Sequence, residues 1–144
     1  MKCTDTIERT EPSAGAERLI EMPVGLLGFE QYKRFSLVTN PEEEPFLWLQ
    51  AVGETKLAFL VMSPFVVVPA YQPELAREDE EFLELQGPDD TLVFTIVSVH
   101  SQQRATINLK GPIVLNRRTR RAKQVIPLNA PTLPVAYPLP VLSA

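Results

Sequence analysis

The chain has 144 residues, 44% of them hydrophobic and 22% charged, and a formal net charge of −4. That size and balance suit one independently folding globular domain and exclude a disordered polymer. No apolar run approaches the ~20 residues of a membrane helix, and the single cysteine, Cys3, excludes an intramolecular disulfide.

Residues 1–16 are polar and lack periodic apolar positions, so a flexible N-terminal segment without a signal-peptide pattern is expected, consistent with a cytoplasmic location. From Arg18 the chain alternates Leu19 and Glu21 against Ile20 and Met22, a short strand stopped by Pro23. Gly25-Leu26-Leu27-Gly28-Phe29-Glu30 pairs two glycines with large apolar residues, the composition of a tight turn over buried side chains. A helical turn over 30–34 leads into a strand over Phe35–Thr39. The acidic Glu42-Glu43-Glu44 loop follows. Phe46–Gln50 and Leu57–Met62 read as a strand pair around Gly53, apolar enough to place Trp48 in the core. Phe65–Val68, between Pro64 and Pro69, reads as a further strand at an edge.

Pro73–Gln86 is the helix candidate: proline suits its start, acids crowd its N-terminal half, and Gly87-Pro88 stops it. Because Glu78 and Asp79 interrupt its apolar stripe, a short or irregular helix with an exposed acidic face is expected. Strands follow over Thr91–Val99, Arg104–Leu109, Ile113–Asn116 and Ala122–Ile126. From Pro127 onward five prolines in eighteen residues, with no charge, favour an extended strap or tail over residues 129–144. The sum is one mainly-β domain over residues 17–128, a small antiparallel barrel or sandwich with one or two short helices.

Enzyme chemistry finds little purchase. One histidine, His100, and one cysteine leave no His/Cys metal site, and neither a Walker loop nor GxGxxG is present, so no cofactor is expected. Charge is strongly polarised instead. Residues 1–100 carry seven Lys/Arg against eighteen Asp/Glu, whereas residues 101–144 carry seven Lys/Arg and no acid. Either each part attracts a partner of opposite sign, or the two sets neutralise each other across the fold. Arg117–Lys123 places five cations in seven residues, a candidate phosphate-binding run. Yet nothing aromatic lies between Phe94 and Tyr137 to stack bases, so direct RNA binding stands only as an alternative, alongside a small-barrel ligand-binding protein. Asn108, Asn116 and Gln124 lie in or beside apolar strands, where each amide must bond the backbone or face a partner.

The segments Gly25–Glu30, Pro45–Gln50, Leu57–Phe59 and Asn108–Asn116, followed by Arg120–Ile126, resemble in order and spacing the bacterial flagellar assembly factor FliW family. The resemblance spans residues 17–128 and departs at Gly111, where alanine is expected. It implies a non-enzymatic cytoplasmic regulator with two protein partners, flagellin and the basic translational repressor CsrA. Flagellin held in the cell would occupy the factor, and its export would free the factor to antagonise CsrA. A monomer is expected, with neither membrane nor direct nucleic-acid contact. Candidate partner-binding residues are Glu74, Glu78, Glu80, Asn108, Asn116, Arg120 and Gln124.

Overall fold

The structure, a computed structural model, describes residues 19–54 and 56–140. The segment expected to be flexible, residues 1–16, lies outside them. Nine strands form the fold: β1 (Leu19–Glu21), β2 (Arg34–Thr39), β3 (Leu47–Ala51), β4 (Ala58–Met62), β5 (Thr91–Ser101), β6 (Arg104–Ile107), β7 (Ile113–Asn116), β8 (Arg121–Gln124) and β9 (Tyr137–Pro138). One α-helix among the described residues, α1 (Arg77–Phe82), joins them.

Seven strands close into a barrel in the ring order β1-β2-β3-β4-β5-β7-β8, sealed by a parallel contact of Glu21 with Arg121 and by β4 against β5. The other contacts around the ring are antiparallel. The protein is mainly β, as its alternating apolar runs predict. Period-two alternation sends Phe35 and Leu37 of β2, Leu49 and Ala51 of β3, Val61 of β4 and Leu115 of β7 into the barrel interior, where they meet Ile20 and Met22. Closure leaves these strands no free edge within the barrel.

β5 serves two sheets. Thr91–Phe94 pair with β7, Val61 and Met62 of β4 pair with Ile96 and Thr95, and Val97–Ser101 run on beyond the barrel to pair with β6. This extension creates a second apolar layer outside the barrel. Met62, Val97, Ala105, Ile107 and Leu109 are buried there beneath Tyr71 and the chain following Pro127, whose β9 pairs with β6. Tyr71 Oη donates to the Leu109 carbonyl at 2.7 Å and ties the two sides of that layer.

Three sequence expectations fail here. No helical turn forms over 30–34, where the chain turns and β2 already begins at Arg34. Phe65–Val68 is not a strand. The Ser63 hydroxyl accepts from the Phe65 amide and Pro64 supplies a preset φ, so Pro64–Val66 form a 3-10 turn with Phe65 and Val66 exposed. Trp48 is not in the core. The register of β3 points it outward, opposite Val38 and Leu60, and it remains 37% exposed. The helix is short, as its interrupted apolar stripe predicts, and occupies only Arg77–Phe82 of the Pro73–Gln86 candidate.

Candidate protein-docking site

The α1 helix is held against the barrel by three sets of contacts. Leu83, just past its end, is fully buried with Val114 of β7 and Val125, and Leu75, Phe82 and Leu85 pack around them. Asp79, expected on the solvated face, instead points inward to an ion pair with Lys123 Nζ of β8 at 2.5 Å. Phe82 lies beneath two cations, with Lys123 Nζ 5.4 Å and Arg121 Cζ 5.8 Å from its ring centre.

The end of the helix explains its length. Glu84 adopts φ +56°, the Leu85 amide returns to the Glu80 carbonyl, and the Glu84 amide returns to that of Glu81. This is a Schellman stop with glutamate where glycine is usual. The carbonyls it releases are taken up by Asn116, whose Nδ2 donates to Leu83 O at 2.8 Å and Glu84 O at 3.2 Å. Asn116 Oδ1 accepts from the Arg118 and Thr119 amides, so one buried side chain shapes both the helix stop and the β7–β8 turn.

Between this helix and the barrel runs a groove of about 790 Å³, lined by Phe65, Leu75, Leu85, Pro88 and Val93, with Glu80 on its wall. Residues 73–90 carry eight carboxylates and a single base, Arg77. Two of the eight are neutralised locally, Asp79 by Lys123 and Asp90 by Arg118. The other six, Glu74, Glu78, Glu80, Glu81, Glu84 and Asp89, remain exposed, and Glu80 lines the apolar cleft. Chemically this combination suits a basic partner that also brings apolar side chains.

The seven candidate residues fall into three groups. Glu74, Glu78 and Glu80 lie on the acidic segment, with Glu80 at the groove itself. The Glu74 backbone also pins the chain after β8, accepting from the Leu128 amide and donating to Asn129 Oδ1. Asn116 and Arg120 belong to the turn below the helix, and Arg120 occupies its left-handed position at φ +65° while its carbonyl accepts from Glu21. Asn116 is fully buried, so it can influence a partner only through the helix and turn it supports. Asn108 and Gln124 form a separate junction. Asn108 Oδ1 accepts from the Lys110 and Gly111 amides. Gln124 donates to Gly111 O and accepts from the Leu27 amide, stapling the Gly25–Glu30 turn to the loop after β6.

The glycines there answer to geometry. A Cβ on Gly25, at φ +75°, would sit 2.6 Å from Glu30 Cα, whereas one on Gly111 would meet only the amide ends of Gln124 and Asn108 at 3.2 and 3.3 Å. The junction therefore demands glycine at 25 and asks for a small residue at 111.

The basic run is largely consumed within the fold. Arg118 pairs with Asp90, Lys123 with Asp79, Arg121 lies over Phe82, and Arg117 donates to Asp89 O at 3.5 Å. The polarised halves of the chain thus neutralise each other in part, and the cations do not form an open phosphate-binding track. Sequence reasoning missed the groove, Phe65 and Leu85, because they meet only after the helix docks. No helix in the described residues is long and apolar enough to cross a membrane, and none of their His, Cys, Asp and Glu side chains form a metal-holding group.

Comparison with known proteins agrees with this architecture. A family model described as FliW protein matches residues 4–139, past residue 128, where the sequence resemblance ended. The chain is 39% identical over 120 residues to the flagellar assembly factor FliW of Syntrophus aciditrophicus, covering 83% of this chain and 75% of that one. It is 38% identical over 112 residues to that of Ruminiclostridium cellulolyticum, covering 76% of each. A crystal structure of the flagellar assembly factor FliW superposes with a TM-score of 0.76 at 31% identity, over 91% of this chain and 88% of that one. With its barrel, its order of motifs and these relatives in agreement, the chain belongs to the FliW family of flagellar assembly factors.

Proposed function

We propose that the protein is a cytoplasmic, non-enzymatic regulator that binds flagellin and CsrA as alternative partners. The observation that supports this reading is the acidic, apolar-floored groove beside α1. A basic repressor would be drawn to Glu74, Glu78 and Glu80 and anchored on Leu75, Leu85 and Val93. The same carboxylates would make the neighbourhood of the bound repressor hostile to RNA phosphates. Flagellin retained in the cell would hold the protein, itself a monomer acting as a chaperone, and export would release it to CsrA.

The test is calorimetric titration with CsrA, alone and with flagellin already bound. Binding to free protein that disappears in the flagellin complex supports the switch. Equal CsrA binding in both states refutes mutual exclusion, and no CsrA binding in either leaves a flagellin chaperone only. The triple variant Glu74→Lys, Glu78→Lys, Glu80→Lys tests the surface: it should keep the fold yet lose CsrA antagonism, and normal antagonism would show that the acidic segment is the wrong face. Because exposed charges are screened over about 10 Å at 0.1 M salt, wild-type affinity should also fall as salt rises.

A further inference from the structure

The wall of the barrel opposite α1 carries a second surface, centred on Val38 and Trp48 and bordered by half-buried Leu60, which packs against the apolar layer outside the barrel. In the ring order, β3 stands three strands away from both β7 and β8, on which α1 rests. Outward-facing Val38, Trp48 and Leu60 are direct cross-strand neighbours there, so their side chains form an apolar stripe running across β2, β3 and β4. Strands lie about 4.8 Å apart, giving the stripe a length near 10 Å. Val38 and Trp48 are 36% and 37% exposed.

Trp48 is fixed and does not hang freely. Its backbone is paired on both sides, and its indole Nε1 donates to Glu43 Oε1 at 3.2 Å. Glu43 sits in the exposed run Glu42-Glu43-Glu44 that joins β2 to β3, and neither ion pair among the described residues involves it. A rigid exposed tryptophan is the residue most often found at interface hot spots. Its ring face attracts cations, and carboxylates at its edge strengthen that attraction for one sign of charge only. β3 is paired along both of its sides, so an occupant must dock on Trp48 through side chains and not by adding a strand.

We propose that this stripe is a docking site for a basic amphipathic helical segment of a protein partner. Such a segment sets an arginine over Trp48, toward Glu42–Glu44, and an apolar side chain one turn away on Val38. The match is one of spacing and charge: side chains a helical turn apart are separated by about 5–6 Å, close to the strand-to-strand repeat of the stripe. The site is independent of the groove and does not depend on the flagellar reading.

Trp48 is the chain's single tryptophan, so the site reports on itself. The probe is an alanine-rich helical peptide carrying leucines and arginines one turn apart, with glutamates replacing the arginines in the control. Selective tryptophan fluorescence and the lone indole N–H resonance are followed during titration. The basic peptide should give a saturable change and the acidic one none. Glu42→Gln, Glu43→Gln, Glu44→Gln together should weaken binding about five- to twentyfold while leaving the fold and the indole hydrogen bond in place. Val38→Lys should abolish it, and the charge reversals at 74, 78 and 80 should leave it unchanged. No saturable response from the basic peptide overturns the proposal, as does equal response to both peptides or indifference to the three glutamine substitutions.

Discussion

Asn116→Ala should be among the most damaging substitutions of a polar residue in this protein. The side chain is completely buried and makes four hydrogen bonds, two to the carbonyls that end α1 and two to amides of the β7–β8 turn. The Arg118 and Thr119 amides lie in an exposed turn and regain partners from water. Glu84 O retains the Arg118 guanidinium at 3.2 Å. The Leu83 carbonyl, on a residue with no exposure, regains nothing. One buried unsatisfied acceptor costs about 1–3 kcal/mol, and the lost side-chain volume and remaining bonds add to it, for a total of about 2–4 kcal/mol. For a chain of this size that lowers the melting temperature by about 6–12 °C. Asn116→Asp sharpens the test. It preserves shape and the two accepted bonds but turns a donor into a charged acceptor facing two carbonyls, so it should be worse than alanine. Urea denaturation followed by circular dichroism measures both. A loss below about 1 kcal/mol for alanine, or an aspartate variant at least as stable, would refute this account of how α1 is held.

Lys123→Met should destabilise more than the double variant Asp79→Asn, Lys123→Met, because the single change strands a carboxylate whose side chain is only 9% exposed. The difference should be about 1–2 kcal/mol, less than for a fully buried pair since Lys123 is a quarter exposed, and denaturant midpoints of the three proteins decide it. Glu84→Gly should instead stabilise by about 0.5–1 kcal/mol, relieving a left-handed glutamate at the helix stop; unchanged or lower thermal stability would refute the strain. Burial pushes the Tyr71 hydroxyl up to about 12. Its folded value lies above the unfolded one near 10, so its contribution is complete below about pH 10 and is lost as pH rises toward 12. Tyr71→Phe should therefore cost about 1 kcal/mol at neutral pH and flatten the alkaline fall in stability, and stability curves of unchanged shape would refute the linkage.

Much of the fold was legible in local sequence. The alternation of Leu19 and Glu21 against Ile20 and Met22 separated the two faces of β1, because side chains on a strand alternate whatever it pairs with. The membership of the FliW family was equally readable, carried by the order of Gly25–Glu30 and Asn108–Asn116 along the chain. Gln124 shows what lay between these motifs: a side chain that bonds Leu27 and Gly111, two positions distant in sequence from each other, and so a contact no spacing rule could name.

Tertiary structure decided the rest. Composition allowed the acidic and basic halves either to attract partners or to neutralise one another, and the docking of α1 on β8 divided the carboxylates. Asp79 and Asp90 are paired with cations, and five glutamates of the same segment remain in water. Trp48 sits in an apolar run that reads as core, yet strand register turned it outward, since alternation determines that neighbours face opposite ways but not which way is inside. The sequence by itself determined most of the strands and the family. Which charges are neutralised, which apolar side chains stay exposed and where a groove opens depended on long-range packing, because those outcomes belong to pairs of surfaces and not to any single segment.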